Sequence, residues 1–192
     1  MAAEKKKVLI IGDSISIGYT PYVAELLASV AEVVHNPGNG GDTENIRAHL
    51  DEWLAQAPAQ LVHFNAGLHD IKVTRGGTAN QVPLERYRRN LSWIVERLQA
   101  TGAVLIWAST TPVIESWHQA RKEFDRYNRN VEAYNAAAEE IVSAAGIPID
   151  DLHAAVASAG PEKLMTPDGV HYTEPAYRML GQVVAECISR HL

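Results

Sequence analysis

Short apolar runs alternate with longer amphipathic segments along most of this 192-residue chain. The runs are short, as buried strands are, and apolar side chains between them recur at the three- and four-residue spacing of a helix. The predicted strands cover residues 7–11, 32–36, 61–65, 103–108 and 147–150. The predicted helices cover residues 21–30, 43–55, 84–98, 124–145 and 175–190. This order of elements predicts the α/β class.

Strands separated by helices favour a parallel sheet that is covered by helices on both faces. The sequence therefore predicts a three-layer α/β/α sandwich with a five-stranded parallel sheet and a flavodoxin-like topology. The sequence contains neither an internal repeat nor a linker, and its length suits one hydrophobic core. We expect residues 1–192 to form a single domain.

Charge and composition exclude several classes of function. The net charge is −6, so the chain lacks the basic surface that is expected of a nucleic-acid-binding protein. The basic run at residues 5–7 is expected to be a solvated tail. The apolar run after it is too short to span a membrane or to act as a signal segment. We therefore expect a cytoplasmic protein without nucleic-acid or membrane partners, and the sequence carries no signature of an oligomeric state.

Cysteine and histidine spacing give no support to a metal enzyme. Cys187 is the only cysteine, which excludes an intrachain disulfide and a cysteine-based zinc site. The eight histidines include no H-E-x-x-H pair, so a zinc hydrolase is disfavoured.

Residues that could take part in catalysis or binding follow the carboxyl ends of the predicted strands. In the order of the first, second, third and fifth strands they are Ser14, Gly41, His69 and His171. Ligands of parallel α/β sheets bind beyond this edge, so these residues are expected to surround one pocket. The long connections at residues 66–82 and 109–123 are expected to form its walls.

Three residues have the types and the chain order of a nucleophilic triad. Ser14 lies in Gly-Asp-Ser after the first strand, and Asp168 and His171 lie three residues apart in a late loop. A serine hydroxyl is a poor nucleophile until a base removes its proton. An aspartate that holds histidine Nδ1 leaves Nε2 free to be that base. Turn or cap roles explain each residue alone, but the three together at strand ends favour catalysis.

Two further loops offer hydrogen-bond donors to the same pocket. Residues 36–43 read Asn-Pro-Gly-Asn-Gly-Gly-Asp-Thr and bring glycine N–H groups to a predicted helix start, where they can approach a substrate oxygen. An ordinary strand–helix turn is the alternative, and a phosphate-binding loop is disfavoured because the common phosphate motifs are absent. His69, in Gly-Leu-His-Asp, can donate a hydrogen bond into the cavity or be a structural histidine.

The four segments resemble the sequence blocks of the SGNH hydrolases, also called GDSL hydrolases. The resemblance extends from the first predicted strand to His171 and includes the order of strands and helices. It implies that Ser14 is the nucleophile, that His171 is the base and that Asp168 orients the base.

The same resemblance implies an oxyanion hole made by the backbone N–H groups of Ser14 and Gly41 and by a third donor. That third donor is an asparagine in the family, and the matching residue here is His69. An imidazole still has an N–H to donate, so the exchange preserves the hole while making it sensitive to pH, or else it marks an altered activity.

The resemblance further implies acyl transfer from a small-molecule ester to water, with no cofactor and no metal. We expect a small acyl group, such as the acetyl group of a carbohydrate ester. Trp117 and Arg75, in the two long connections, are candidates for contacts with a sugar ring and with a substrate anion. Packing is the favoured alternative for Trp117, and a solvated loop charge explains Arg75 equally well. The alternatives are an acyltransferase that uses the same serine and a non-catalytic domain that binds a sugar or another ligand.

Overall fold

The computed structural model describes residues 5–192 and contains a central sheet of five parallel strands. In chain order the strands are β1 (Lys6–Ile11), β2 (Ala31–His35), β3 (Leu61–Phe64), β4 (Val73–Thr74), β5 (Val104–Ala108), β6 (Phe124–Asp125) and β7 (Ile149–Asp150). The central sheet has the order β2-β1-β3-β5-β7, while β4 and β6 form a separate antiparallel pair. The predicted five-stranded parallel sheet is confirmed.

Helices cover both faces of this sheet, which gives the three layers that the sequence predicts. They are α1 (Ser14–Leu26), α2 (Thr43–Gln56), α3 (Leu84–Gln99), α4 (Glu115–Gln119), α5 (Asn128–Ala144), α6 (Leu152–Ala159), α7 (Pro161–Leu164) and α8 (Glu174–Ser189). α1 packs against α8, and α3 packs against α2 and α5. None of the helices in residues 5–192 has the length and apolar composition needed to cross a bilayer.

The strand β1 lies inside the core, between β2 and β3, and sets the position of the site. Its residues from Val8 to Ile11 are all buried, as expected of a strand with a helix layer on each face. β2 and β3 pair with opposite edges of β1, so the chain leaves β1 on one side and returns on the other. This switch of direction opens a crevice beyond the carboxyl end of β1.

The first helix begins earlier than the sequence predicts. Pro21 suggested a helix start, because proline favours the first turn, yet α1 already begins at Ser14 and Pro21 lies inside it. Asp13 caps this earlier start, and the buried residues Tyr19 and Val23 fix the helix on both sides of the proline. The missing proline N–H removes one backbone hydrogen bond, and the packing of α1 outweighs that loss.

The helix predicted at residues 124–145 begins only at Asn128. Phe124 and Asp125 instead pair with Thr74 and Val73, which keeps this part of the chain extended. The two long connections therefore carry short elements, β4 in the first and α4 in the second. α6 and α7 were missed because such short helices give little periodic signal.

Candidate active site

Ser14 is the first residue of α1 and lies at the carboxyl end of β1. Asp13 Oδ1 accepts a hydrogen bond of 2.9 Å from the backbone N–H of Ile15, which caps the helix at the serine. The loop after β2 contacts this turn directly, because the N–H of Gly40 donates to the carbonyl oxygen of Gly12 over 2.8 Å. Contacts between two neighbouring loops thus fix the backbone on which Ser14 stands.

The structure brings Ser14, His171 and Asp168 into one hydrogen-bonded chain. His171 Nε2 is 2.9 Å from Ser14 Oγ, and His171 Nδ1 is 2.6 Å from Asp168 Oδ2. An ionised carboxylate only accepts hydrogen bonds, so Nδ1 carries the ring proton and Nε2 is free to accept one from the serine. The half-buried Ser14 hydroxyl therefore lies against an imidazole nitrogen that can accept its proton.

Asp168 is held in its ionised form by the loop that it shares with His171. Its Oδ1 accepts hydrogen bonds from Thr166 Oγ1 (2.9 Å) and from the backbone N–H groups of Val170 (3.1 Å) and His171 (2.9 Å). Burial raises the pKa of Asp168, but the hydrogen bonds, led by that from the His171 ring, outweigh burial and hold the pKa well below its usual range. The carboxylate therefore remains available to stabilise an imidazolium.

Gly169 fastens this loop to the start of α4. Its carbonyl oxygen accepts a hydrogen bond of 2.9 Å from the N–H of Ile114, and its φ is +70°. A Cβ at this position would lie 2.5 Å from the Ile114 carbonyl oxygen and 3.1 Å from the Cβ of Trp117. Only glycine fits this close contact, which places Trp117 beside the loop that carries Asp168 and His171.

Asp168 also contacts the positive charge of Lys122, a residue that the sequence analysis missed. Lys122 Nζ is 3.3 Å from Asp168 Oδ2. Arg75 supports the chain at this point, since its Nη2 donates to the carbonyl oxygens of Gln119, over 2.8 Å, and of Lys122. The guanidinium of Arg75, proposed as a contact for a substrate anion, is thus engaged by backbone and makes no hydrogen bond to the three triad residues. No spacing rule connects Lys122 to a residue so far along the chain.

His69 lies beside the helix cap of the serine and is neutral. Its Nε2 is 3.9 Å from Asp13 Oδ2, too far for a hydrogen bond. Burial lowers the pKa of His69 to about 4; Asp13 opposes this change, whereas Lys72 and Arg126 add to it. A neutral imidazole has one N–H to donate. The pH sensitivity expected of this position therefore falls below the neutral range.

The backbone N–H groups of Ser14 and Gly41, which are expected to form the oxyanion hole, differ in whether they already donate a hydrogen bond. Within residues 5–192, no acceptor takes the N–H of Ser14, so it is free to meet an oxyanion. The N–H of Gly41, in contrast, donates to the side-chain oxygen of Asn39 over 2.9 Å. Gly41 has a φ of +66°, as suits the glycine of this turn. Sequence analysis did not identify Asn39 as the acceptor of this N–H.

Asp70 joins the loops after β2 and β3. It accepts hydrogen bonds from the backbone N–H of Thr43 (3.0 and 3.2 Å to its two oxygens) and from Thr43 Oγ1 (2.5 Å). Asn90 Nδ2 completes the set by donating to Thr43 Oγ1 over 3.0 Å. The contact fixes the loop of His69 relative to the loop of Gly41.

A serine at the end of the first strand of an α/β sheet, paired with a histidine from a late loop, is the arrangement of a serine-dependent hydrolase. The model of the GDSL-like lipase/acylhydrolase family matches residues 10–179. The chain belongs to this family and is a carboxylic ester hydrolase of the SGNH type. Comparison of the sequence with curated proteins gave no significant match.

Solved structures share the fold over nearly the whole chain. A lipase/acylhydrolase from Enterococcus faecalis has a TM-score of 0.81 at 20% identity, with 97% of each chain covered. The acetyl xylan esterase AlAXEase has a TM-score of 0.77 at 16% identity, with 95% of this chain and 99% of the other covered. An acetylxylan esterase from Geobacillus stearothermophilus has a TM-score of 0.74 at 21% identity, with 97% of this chain and 95% of the other covered. At these identities the likeness establishes the fold.

Metal-binding side chains are not clustered in the described part of the chain. Within residues 5–192, no three His, Cys, Asp or Glu side chains form a group that could hold a metal ion.

Proposed function

We propose that this protein is a serine esterase that removes small acyl groups from carboxylic esters through a covalent acyl-enzyme. The observation that carries the proposal is the 2.9 Å contact between Ser14 Oγ and His171 Nε2, on a ring whose Nδ1 is bound to Asp168. This contact gives the serine the base that it needs to become a nucleophile.

The proposed reaction begins when His171 Nε2 takes the hydroxyl proton of Ser14 and the serine oxygen attacks the ester carbonyl carbon. Asp168 stabilises the resulting imidazolium. The imidazolium then gives its proton to the leaving alcohol, which departs as the acyl–serine ester forms. Water attacks this ester in the second half, with His171 again accepting and returning one proton, so that a carboxylic acid and free Ser14 result.

The negative charge on the carbonyl oxygen needs donors that are already in place. We assign this role to the free N–H of Ser14 and to the single N–H of the neutral His69. The N–H of Gly41 can join them when Asn39 shares or releases it. A hole with at least two ready donors, rather than an abandoned one, favours an enzyme over a domain that only binds a ligand.

A small acyl group suits the space next to the nucleophile. A cavity of about 10 Å³ lies beside the serine turn, and its lining includes Asp13, Ile15 and Leu68. A cavity of this size has room for about one water-sized group, so it excludes a long acyl chain. The shared fold with two acetylxylan esterases and the half-buried Trp117 beside the loop of His171 further support an acetyl group on a carbohydrate.

The test compares two serines that lie two residues apart and are each paired with a histidine. Ser16 Oγ is 2.7 Å from His35 Nε2, but Ser16 is only 2% exposed and cannot meet a substrate. A fluorophosphonate should label Ser14 and leave Ser16 unmodified. Ser14→Ala should reduce the hydrolysis of 4-nitrophenyl acetate by roughly 10⁴-fold or more, whereas folded Ser16→Ala should keep most of it.

Normal turnover by folded Ser14→Ala would refute the assignment of the nucleophile. Absence of labelling in folded wild-type protein would favour the non-catalytic binding domain. Product analysis with added alcohols would separate the remaining pair of functions, because an acyltransferase would form a new ester where a hydrolase releases acid.

A further inference from the structure

Arg126 is a buried cation without a carboxylate partner. Its side chain is 4% exposed, and no carboxylate in residues 5–192 forms an ion pair with it. Nε donates to the carbonyl oxygen of Leu68 over 2.7 Å, and Nη1 is 3.2 Å from His118 Nε2. Nη2 has no acceptor in the same part of the chain but keeps some contact with solvent, so an anion can reach this end of the guanidinium although the rest of the side chain is enclosed. Buried charges are normally paired, so an arginine in this state points to a missing anion.

His118 does not supply the missing charge. An arginine can only donate, so His118 Nε2 must accept and the ring is neutral. Burial lowers the pKa of His118 to about 4, and the neighbouring cations Arg126 and Lys122 act in the same direction. The contact therefore satisfies one N–H of the guanidinium but supplies no negative charge.

A second cation lies beside the first. Lys72 Nζ is 5.3 Å from the centre of the Phe124 ring, and Arg126 Cζ is 5.0 Å from the same centre. Lys72 is half-buried and, like Arg126, has no ion-pair partner among the described residues. Two cations that contact the same aromatic ring repel each other, and an anion bound to both would offset this repulsion. The net charge of the chain is −6, so this positive region is a local feature.

These cations border the proposed reaction centre. The carbonyl that Arg126 contacts belongs to Leu68, the residue before His69. Arg126 is also close enough to Asp13 and to Asp168 for both carboxylates to favour its charged form. Both carboxylates are already used, Asp13 in the cap of α1 and Asp168 by His171. The guanidinium is thus near both Asp13, at the turn of Ser14, and Asp168, in the loop of His171.

We propose that Arg126, assisted by Lys72, binds a carboxylate on the alcohol half of the ester substrate. This inference rests on the proposed function, since an acetyl group is uncharged and an anion must then belong to the leaving alcohol. A planar carboxylate can accept one hydrogen bond from Nη2 and one from the N–H of Nη1 that His118 does not use. In a carbohydrate substrate, the alcohol would be an acidic sugar.

The test uses esters that differ only in charge. The value of kcat/KM is measured for 4-acetoxybenzoate and 4-acetoxybenzamide, and for the two 3-substituted isomers, each divided by its rate of hydrolysis by hydroxide. Wild-type protein should prefer the acid of at least one pair by about 10- to 100-fold, the range given by one charge-assisted hydrogen bond. The product 3- or 4-hydroxybenzoate should inhibit more strongly than the matching amide.

Variants test whether Arg126 and Lys72 cause the preference for the acid over the amide. Lys72→Met and Arg126→Met should each reduce the acid-to-amide ratio of kcat/KM. Lys72→Arg keeps the positive charge and should retain the wild-type ratio. Arg89→Met removes an equal charge from the exposed surface of α3 and should leave the ratio unchanged. If circular dichroism shows that Arg126→Met does not fold, Lys72→Met, its arginine rescue and product inhibition of wild-type protein decide the matter.

Several outcomes would overturn the inference. An acid-to-amide ratio of one or less in both pairs, with normal hydrolysis of the amides, would reject the carboxylate site and leave the esterase proposal intact. Inhibition by inorganic phosphate, without inhibition by hydroxybenzoate, would also reject a carboxylate. Failure to hydrolyse any of these esters or 4-nitrophenyl acetate would refute the proposed function, and this inference with it.

Discussion

Two serine–histidine pairs stand at the start of α1, and access separates them. Ser14 is half-buried and faces His171, whereas Ser16 is enclosed and joined to His35 at the end of β2. The accessible pair also has a carboxylate behind its histidine, which the buried pair lacks. Reactivity at a serine therefore depends on the environment of the histidine as much as on the contact itself.

Two substitutions of His69 test whether its N–H stabilises the oxyanion. His69→Asn exchanges one N–H donor for another, so kcat/KM for 4-nitrophenyl acetate should stay within about tenfold of wild type, while His69→Ala should lose about 10²–10³-fold. Because the pKa of His69 is lowered to about 4, the ring does not titrate between pH 6 and 9. The two pH–rate profiles should therefore have the same shape in this interval. A profile whose shape changes in His69→Asn would show that the imidazole exchanges a proton during the reaction.

Some residues of the candidate site could be predicted from the sequence, and others could not. Ser14, Asp168 and His171 were predicted to meet because short motifs mark the ends of parallel strands, and the structure joins their side chains. Their catalytic roles remain predictions. Lys122 and Arg126 could not be found in this way, because a charged side chain in a connection has no pattern until the fold shows what it faces.

At the scale of elements, the loop that carries Asp168 and His171 depends on its contact with α4. Gly169→Ala should misplace both side chains, since the new Cβ would lie 2.5 Å from the Ile114 carbonyl oxygen. We expect kcat/KM to fall at least about 10²-fold and the free energy of unfolding to fall by about 2–4 kcal/mol.

Gly102→Ala is the matched control for this change. Gly102 has a similar φ of +73°, but no atom lies within 4 Å of the position of its Cβ. It should cost about 1–2 kcal/mol of backbone strain and leave activity unchanged. Equal losses of stability in the two variants, with activity retained in both, would show that the loop does not need its close contact with α4.

The loops after β2 and β3 depend on Asp70. In Asp70→Ala, the buried N–H and hydroxyl of Thr43 lose their acceptor, which should lower the free energy of unfolding by about 2–3 kcal/mol. Asp70→Asn keeps one acceptor oxygen and should lose less. Urea unfolding measures both changes. A loss in Asp70→Asn as large as that in Asp70→Ala would mean that the charge, and not the hydrogen bonds, joins the loops.

Elements also show where prediction from sequence fails. The five strands of the central sheet were found because each coincides with a short apolar run in the sequence. The start of α1 was misplaced because the preference of proline for a first turn was given more weight than the cap at Asp13. The β4–β6 pair was missed because its two-residue strands give no periodic signal and depend on a contact across the chain.

At the scale of the whole molecule, the order of the central sheet explains why distant motifs converge. β1 lies between β2 and β3, so the loops of Ser14, Gly41 and His69 leave the same edge of three adjacent strands. The loop of His171 joins them from beyond β7, after α6 and α7. Its approach depends on packing against α4, which a strand order alone does not predict.

Acid should destabilise the folded protein through two histidines, His69 and His118. Burial lowers the pKa values of His69 and His118 to about 4, from an ordinary value of 6.5. Between these values the unfolded chain binds more protons than the folded protein, so the stability present above pH 6.5 is lost progressively as the pH falls toward 4. Each histidine should contribute about 2 kcal/mol to the loss between pH 7 and pH 4.5.

A double variant isolates this contribution. His69→Asn with His118→Gln removes both titrating rings, and glutamine at position 118 can still accept from Arg126. Its free energy of unfolding in urea should fall less between pH 7 and pH 4.5 than that of wild type, whereas the exposed control His49→Gln should behave as wild type does. Burial raises the pKa of Asp70 to about 7, which acts in the opposite direction but equally in all these proteins. Parallel curves for wild type and the double variant would mean that neither ring is kept neutral by folding.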